Sequence, residues 1–172
     1  MKAEIVRISS LAFIALGSNL GDSRGLLIRA MGQLQKLSEK PLVQSSLWKS
    51  TPVDCPPDSP SFVNAVVGLV PRDRETPESL LDNLQALEKE FGRTPKKILN
   101  EPRALDLDLI SFGSDVRATA NLTLPHPRAH LRRFVLQPLA EIAAELVFPG
   151  QTKTVAQLLA ALVTDEVVTR LD

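Results

Sequence analysis

The sequence is short of cysteine, aromatic side chains and net charge, and each shortage excludes a class of protein. The single cysteine, Cys55, excludes an internal disulfide and a zinc site built from cysteines. Twenty basic residues balance twenty acidic ones, so bulk attraction to nucleic acid or to an anionic membrane is not expected. No apolar run approaches the length of a membrane span. We therefore expect a soluble protein of a reducing compartment, the cytoplasm.

The length and composition are those of one compact domain. The chain has 172 residues, of which 44% are hydrophobic, and this is enough for a full hydrophobic core. We expect one domain over residues 1–172, in which residues 1–10 form a loose leader.

The spacing of apolar residues predicts the order of the secondary-structure elements. Strands are expected over residues 11–16, 42–50, 62–70 and 105–112, with a short extended piece over 122–124. A helix with apolar residues at helical spacing from Leu27 to Leu37 follows the first strand. A second helix is capped by Thr76 and closed by Gly92. Two more helices are expected over residues 135–146 and 155–163. This order indicates an α+β fold, with helices on an antiparallel sheet and a helical C-terminal extension.

Two aspartates stand out on the last predicted strand. Asp106 and Asp108 alternate with leucines, so both carboxylates lie on one face, about 7 Å apart along the strand. Such a pair suits two divalent cations whose remaining positions are filled by phosphate oxygens. The alternative is a strand with a solvated acidic face.

Basic residues bracket the acidic pair. Arg93 and Arg103 precede it, and Arg128, Arg132 and Arg133 follow it. Carboxylates that hold Mg²⁺, beside guanidinium groups that grip phosphate oxygens, are the parts needed for phosphoryl transfer. Structural ion pairs are the alternative interpretation. His126 is expected to contact phosphate or to cap a helix, because no acid or cysteine stands in register for zinc.

The predicted strand over residues 62–70 has two different faces. One face is wholly apolar, whereas the other begins with Phe62 and Asn64. An aromatic ring followed by an amide on one face can bind a flat polar heterocycle by stacking and paired hydrogen bonds. The alternative is an ordinary strand whose second face is half wet.

Four segments, taken together, are very similar to the 6-hydroxymethyl-7,8-dihydropterin pyrophosphokinase family of folate biosynthesis. They are residues 15–22, 62–65, 102–109 and 124–127. The resemblance extends over residues 11–149. It implies a ferredoxin-like α+β fold and transfer of the pyrophosphoryl group of ATP to the hydroxymethyl group of the pterin, with release of AMP.

The resemblance also assigns roles to individual residues. It places two Mg²⁺ ions on Asp106 and Asp108, and it has Arg93 and Arg103 assist the transfer. The residues that fall on the ATP side are Gln85, Glu88, Arg93, Leu109, Thr123, His126 and Arg132. Those that fall on the pterin side are Ser50, Thr51, Val53, Phe62, Asn64 and Phe134, with Phe62 and Phe134 as an aromatic sandwich.

The chain departs from the family pattern in one loop. Asn100 and Glu101 stand where many members have a tryptophan and a glycine, and Pro95 stands where many have an arginine. The loss of a stacking residue and a cation is expected to slow turnover or weaken binding.

Two functions of other classes are alternatives to the enzyme. One is a binding or regulatory module that keeps pterin or nucleotide affinity without turnover. The other is an RNA-binding module on the same fold, which the 4% aromatic content and the zero net charge disfavour. Because no apolar surface face is left unassigned, we expect a monomer. The zero net charge predicts no nucleic-acid or membrane partner.

Overall fold

The computed structural model describes residues 6–52, 54–92 and 104–171. Its first half contains β1 (Ala12–Ser18), α1 (Ser23–Gln35), β2 (Val43–Gln44), β3 (Trp48–Ser50), β4 (Phe62–Leu69) and α2 (Pro77–Glu90). Its second half contains β5 (Asp106–Phe112), β6 (Arg117–Ala118), β7 (Thr123–Leu124), α3 (Arg133–Ala143), α4 (Val155–Ala161) and β8 (Val168–Arg170). Single 3-10 turns occur at Ile8–Ser10 and Ala129–Leu131.

One antiparallel sheet organises the chain, with strand order β5-β1-β4-β3-β8 and β2 also paired to β4. Strand β4 lies between β1 and β3, and β1 lies between β4 and β5. Two strand–helix–strand units are therefore interleaved, as in a ferredoxin-like fold. The predicted α+β fold with helices packed on an antiparallel sheet is confirmed.

Helices cover both faces of this sheet. On one face, Ile14 and Val67 pack with residues of α1 and α2. On the other face, Phe13, Val66 and Ile110 pack with residues of α3 and α4. Double coverage explains why β1 reads as a continuous apolar run without polar alternation.

Local sequence signals set the helix ends. The Thr76 and Ser79 side chains form a capping box at the start of α2, which also has a proline in its first turn. Gly92 follows this helix with a φ of 91°, a left-handed conformation that favours glycine. The Asp22 side chain accepts from the Gly25 amide, 3.1 Å away, at the start of α1.

The expected strand over residues 42–50 is divided into β2 and β3. Between them, the Val66 amide donates to the hydroxyl of Ser45 at 2.9 Å instead of to a carbonyl. The Ser46 amide leaves the sheet and donates to the Glu141 carboxylate at 2.9 Å. These two side-chain bonds interrupt the ladder, which is why one predicted strand became two.

The C-terminal extension is not wholly helical. After α4 the chain returns to the sheet, where β8 pairs with β3 through Ser50 and Val168. Three residues are too few to show a strand period, so the sequence did not predict β8. Within the described residues, no helix is long and apolar enough to cross a membrane.

Candidate active site

A cavity of about 610 Å³ opens at the end of the sheet that α3 leaves uncovered. Along β1, β4 and β5, the face toward α3 changes from apolar to polar or small residues. Phe13, Val66 and Ile110 are buried under α3. Further along the strands, Asp106 and Asn64 line the cavity. The second face of β4 therefore lines the cavity at Phe62 and Asn64 but is buried at Val66, because α3 covers that end of the strand.

Gly17 forms the floor between two polar residues. It pairs with Asn64 on one side and with Asp106 on the other, so Asp106 and Asn64 are two strand spacings apart, about 10 Å. A Cβ atom at this position would lie 3.5 Å from Asn64 Oδ1 and 3.8 Å from Phe62 Cδ1. The glycine therefore keeps the floor between the acidic end and the aromatic end free of side chains.

The acidic end is built on the edge strand β5. Asp106 and Asp108 line the cavity, and the intervening Leu107 points into the core on the α1–α2 side. The Leu107 amide faces the unpaired edge and donates to Oε2 of the buried Glu88 at 3.2 Å. Glu88 therefore holds β5 in place at Leu107, between the two aspartates, and accepts from an amide that would otherwise lack a partner at the edge of the sheet. Gln85, one turn earlier on α2, also lines the cavity.

Basic side chains form the opposite wall of the acidic end. Arg128, Arg132 and His126 line the cavity. The His126 amide donates to the Ile110 carbonyl at 2.8 Å, which anchors this wall to β5. Three groups on one wall thus carry hydrogen-bond donors in the same cavity as the two aspartates.

The His126 ring is neutral near pH 7. Burial, followed by the charges of Arg132 and Arg128, lowers the pKa of His126 from 6.5 to about 4, against an opposing effect of Asp106. Its Nδ1 atom accepts from the Arg128 amide at 3.2 Å, so the ring proton resides on Nε2. The 3-10 turn that follows has Arg128 as its N-cap and no side-chain capping bond, so the helix-capping role expected for His126 is not found, and its contact with phosphate stays a prediction.

Aromatic and amide side chains form the other end of the cavity. Phe62, Phe134 and Asn64 line it, and the Arg132 guanidinium lies 5.5 Å from the centroid of the Phe134 ring. The Asn64 amide nitrogen donates to Ser50 Oγ at 2.7 Å. This bond fixes the amide orientation and leaves Oδ1 beside Gly17, so this end presents a fixed acceptor near two aromatic rings.

The cavity brings together most of the predicted site residues that the structure describes. These are Ser50, Thr51, Phe62, Asn64, Gln85, Glu88, Asp106, Asp108, His126, Arg132 and Phe134. Leu109 does not line it, because the alternation along β5 turns its side chain into the core beneath α1 and α2. Thr123 does not line it either, because it is exposed in the β6–β7 hairpin. Val53, Arg93 and Arg103, like the divergent Pro95, Asn100 and Glu101, lie outside the described residues.

Some lining residues were not predicted. Asp54 and Cys55 come from the proline-rich loop after β3, and Thr164 and Glu166 come from the segment between α4 and β8. In the loop, polar residues between prolines are a weak indication of a binding site. Thr164 and Glu166 carried no signal, because only the pairing of β8 with β3 brings them to the cavity.

The donor set at the acidic end fits magnesium. Within the described residues, no group of three or more His, Cys, Asp and Glu side chains could hold a metal ion. Mg²⁺ does not need such a cage, because it keeps several waters and is bound through one or two carboxylates together with substrate phosphates. Asp106 and Asp108 would supply two such carboxylates, since both line the cavity from β5.

The known proteins that this chain resembles are consistent with the geometry of the cavity. The chain is 42% identical over 140 residues to a 2-amino-4-hydroxy-6-hydroxymethyldihydropteridine pyrophosphokinase from Haemophilus influenzae, covering 81% of this chain and 85% of that protein. A protein of the same name from Pseudomonas aeruginosa is 40% identical over 150 residues, covering 87% and 90% of the two chains.

Residues 13–144 match the family model of 7,8-dihydro-6-hydroxymethylpterin-pyrophosphokinase. The protein is therefore of the pyrophosphokinase class of transferases, and here its fold is α+β with an antiparallel sheet. More particularly, the chain belongs to the 7,8-dihydro-6-hydroxymethylpterin-pyrophosphokinase family. The resemblance noted in the sequence is confirmed.

The fold also recurs in a solved structure. The wild-type HPPK-DHPS of Plasmodium falciparum with pteroate superimposes with a TM-score of 0.68 at 13% identity. The similarity covers 87% of this chain, which spans 42% of that longer chain. At this identity the likeness concerns the fold alone.

Proposed function

We propose that this chain transfers the β,γ-pyrophosphoryl group of ATP to the hydroxymethyl oxygen of 6-hydroxymethyl-7,8-dihydropterin, giving AMP and the pterin diphosphate. Pyrophosphoryl transfer to this pterin, a step of folate biosynthesis, is the activity of the family to which the chain belongs. The observation that carries the proposal is a single cavity with two aspartates at one end and two phenylalanines with an amide at the other.

At the acidic end, Asp106 and Asp108 would hold Mg²⁺, with two ions as the proposed number. When bound, the metal neutralises phosphate charge and orients the transferred group. Glu88 contributes by holding the backbone between the two aspartates through the Leu107 amide. A fixed backbone keeps both carboxylates directed into the cavity throughout turnover.

The basic wall is proposed to bind the ATP phosphates. Arg128 and Arg132 present guanidinium groups that stabilise negative charge as it develops on the transferred group. The neutral His126 ring donates its Nε2 proton to a phosphate oxygen and adds no charge of its own. Arg93 and Arg103, outside the described residues, are proposed to assist the transfer on the strength of the family resemblance, and Gln85 to contact the nucleotide.

The aromatic end is proposed to bind the pterin. Phe62 and Phe134 would stack on the two faces of the ring, and Asn64 Oδ1 would accept from a ring N–H. Ser50 acts through Asn64, because its hydroxyl fixes the amide. With no side chain at Gly17, the hydroxymethyl group faces the phosphates across an open floor.

The finer features of the protein are part of the same proposal. We place it in the cytoplasm, where a lone Cys55 stays reduced, and propose that it acts as a monomer. Light scattering after gel filtration at micromolar concentration tests the monomer, and a dimer mass would contradict it.

The test of function is AMP formation from ATP and 6-hydroxymethyl-7,8-dihydropterin, with Mg²⁺ present and with EDTA. The wild type is compared with the double variant Asp106→Ala plus Asp108→Ala. The control is Asp73→Ala plus Asp82→Ala, which removes the same charge from exposed positions outside the cavity. We expect metal-dependent AMP release that falls to background in the first variant and persists in the control.

A wild type that forms no AMP, while calorimetry still detects pterin or nucleotide binding, would contradict the enzyme and favour a binding module. Full activity in the Asp106 and Asp108 variant would contradict the role of the acidic pair. Melting temperatures of all three proteins show whether a lost activity reflects lost folding.

A further inference from the structure

The segment that precedes β8 forms one wall of the cavity. Strand β8 pairs with β3, and Val167 is fastened to Thr51 by two hydrogen bonds. The Thr51 amide donates to the Val167 carbonyl at 3.1 Å, and the Val167 amide donates to Thr51 Oγ1 at 3.2 Å. These bonds hold the preceding residue, Glu166, against the cavity that it lines.

One oxygen of the Glu166 carboxylate is fixed by the protein. Oε2 accepts from the Arg133 amide at 3.0 Å and lies 3.3 Å from the Thr164 hydroxyl. Because Arg133 is the first residue of α3, the carboxylate sits at the N-terminal, positive end of that helix. The side chain is therefore oriented before any ligand arrives.

The other oxygen has no partner. Glu166 Oε1 is buried and accepts no hydrogen bond from the part of the chain that the structure describes. Buried polar atoms are normally hydrogen-bonded, so such an atom calls for an explanation. The neighbouring Arg133 Nε is also buried without a hydrogen bond, so the two groups do not satisfy each other.

The sheet order places the Glu166 segment at the pterin end of the cavity. Strands β5 and β8 are the two ends of the order β5-β1-β4-β3-β8, four strand spacings or about 19 Å apart. When the hydroxymethyl group faces Asp106, the opposite end of the bicyclic ring faces β3 and the Glu166 segment. That opposite end carries the N3–H and 2-amino donors, either of which can donate to the one unpartnered oxygen of the Glu166 carboxylate.

We propose that Glu166 is a specificity-determining residue that accepts hydrogen bonds from the 2-amino-4-oxopyrimidine edge of the pterin. The inference rests on the proposed function, because it assumes that the pterin lies between Phe62 and Phe134. Asn64 then recognises the ring with a neutral acceptor, and Glu166 recognises the amino group with a charged one.

The test pairs a substitution in the protein with a change in the substrate. Glu166→Gln keeps the size of the side chain but replaces one acceptor with a donor. The second substrate is the same dihydropterin with its 2-amino group replaced by hydrogen. Asp165→Asn is the matched control, since it removes one charge from the same segment at an exposed position outside the cavity.

We expect the wild type and Asp165→Asn to prefer the amino substrate by about 10- to 100-fold in kcat/KM, the range for a hydrogen bond to a charged group. In Glu166→Gln this preference should fall below about threefold. The loss should appear in the KM for pterin, with kcat and the KM for ATP within about twofold of wild type.

Equal losses for both substrates, or a lowered melting temperature with the preference intact, would overturn the proposal and make Glu166 a structural partner of Arg133. A wild type without AMP formation would contradict the proposed function separately. Calorimetric affinities of the wild type and Glu166→Gln for the two pterins would then decide the role of Glu166, and unchanged affinities would refute it.

Discussion

His126 links the folding stability of this protein to pH, because its ring is held neutral in the folded state. Burial, together with Arg132 and Arg128, lowers the pKa of His126 from 6.5 to about 4. As the pH falls below 6.5, the unfolded chain takes up a proton that the folded chain does not. The contribution is therefore fully present above pH 6.5 and is lost as the pH falls toward 4.

The size of the effect follows from the two pKa values. At pH 5 the difference between 6.5 and about 4 corresponds to about 2 kcal/mol of lost stability. The ring is only partly buried, so water screens the charges around it, and we expect about 1 kcal/mol. A difference of this size is measurable by chemical denaturation.

The assay is urea unfolding of the free protein at pH 7.5 and pH 5.0, for the wild type and His126→Gln. Glutamine does not titrate and keeps an acceptor for the Arg128 amide. Other titrating groups cancel when the two proteins are compared. We expect the wild type to lose about 1 kcal/mol more than the variant between the two pH values, with equal urea m-values.

Two results would refute the reasoning. Identical pH dependence in the two proteins would mean that His126 titrates alike in the folded and unfolded states. A wild type that gains stability at pH 5 relative to the variant would mean that Asp106 raises the pKa of His126 more than burial and the arginines lower it.

The remaining predictions concern α2, which carries Gln85 and Glu88 to the cavity. Leu84→Ala empties a fully buried position in the core and should lower the free energy of unfolding by about 2–5 kcal/mol, measured by urea denaturation. A loss below about 1 kcal/mol would show that the core collapses around the deletion. Thr76→Ala breaks the capping box of the same helix and should cost about 1 kcal/mol in the same assay, whereas Thr76→Ser should restore most of it.

The acidic pair shows what the alternation of residues along a strand can predict. The alternation of leucine and aspartate along β5 predicts that Asp106 and Asp108 share a face, and the structure has both in the cavity. The same alternation turns Leu109 into the core, yet the family resemblance placed it on the nucleotide side. The alternation of side chains between the two faces of a strand is a local property, so it can be predicted from the sequence.

Strand β4 shows what the alternation of residues cannot predict. The sequence distinguishes the face with Phe62 and Asn64 from the wholly apolar one, but treats the first face as uniform. In the structure α3 covers Val66 and stops short of Asn64. How far a helix extends over a sheet depends on packing between segments distant in the sequence, so local sequence patterns do not predict it.

Local patterns in the sequence predict the main strands and helices, the helix caps and the face on which the aspartates, Phe62 and Asn64 lie, because these depend on neighbours a few residues away. Long-range packing sets which end of that face stays open, the division of one predicted strand into β2 and β3, and the return of the chain after α4 to the sheet as β8. Pairing with β3 joins residues more than a hundred positions apart. It is this long-range pairing, invisible in the local pattern, that brings Glu166 to the cavity.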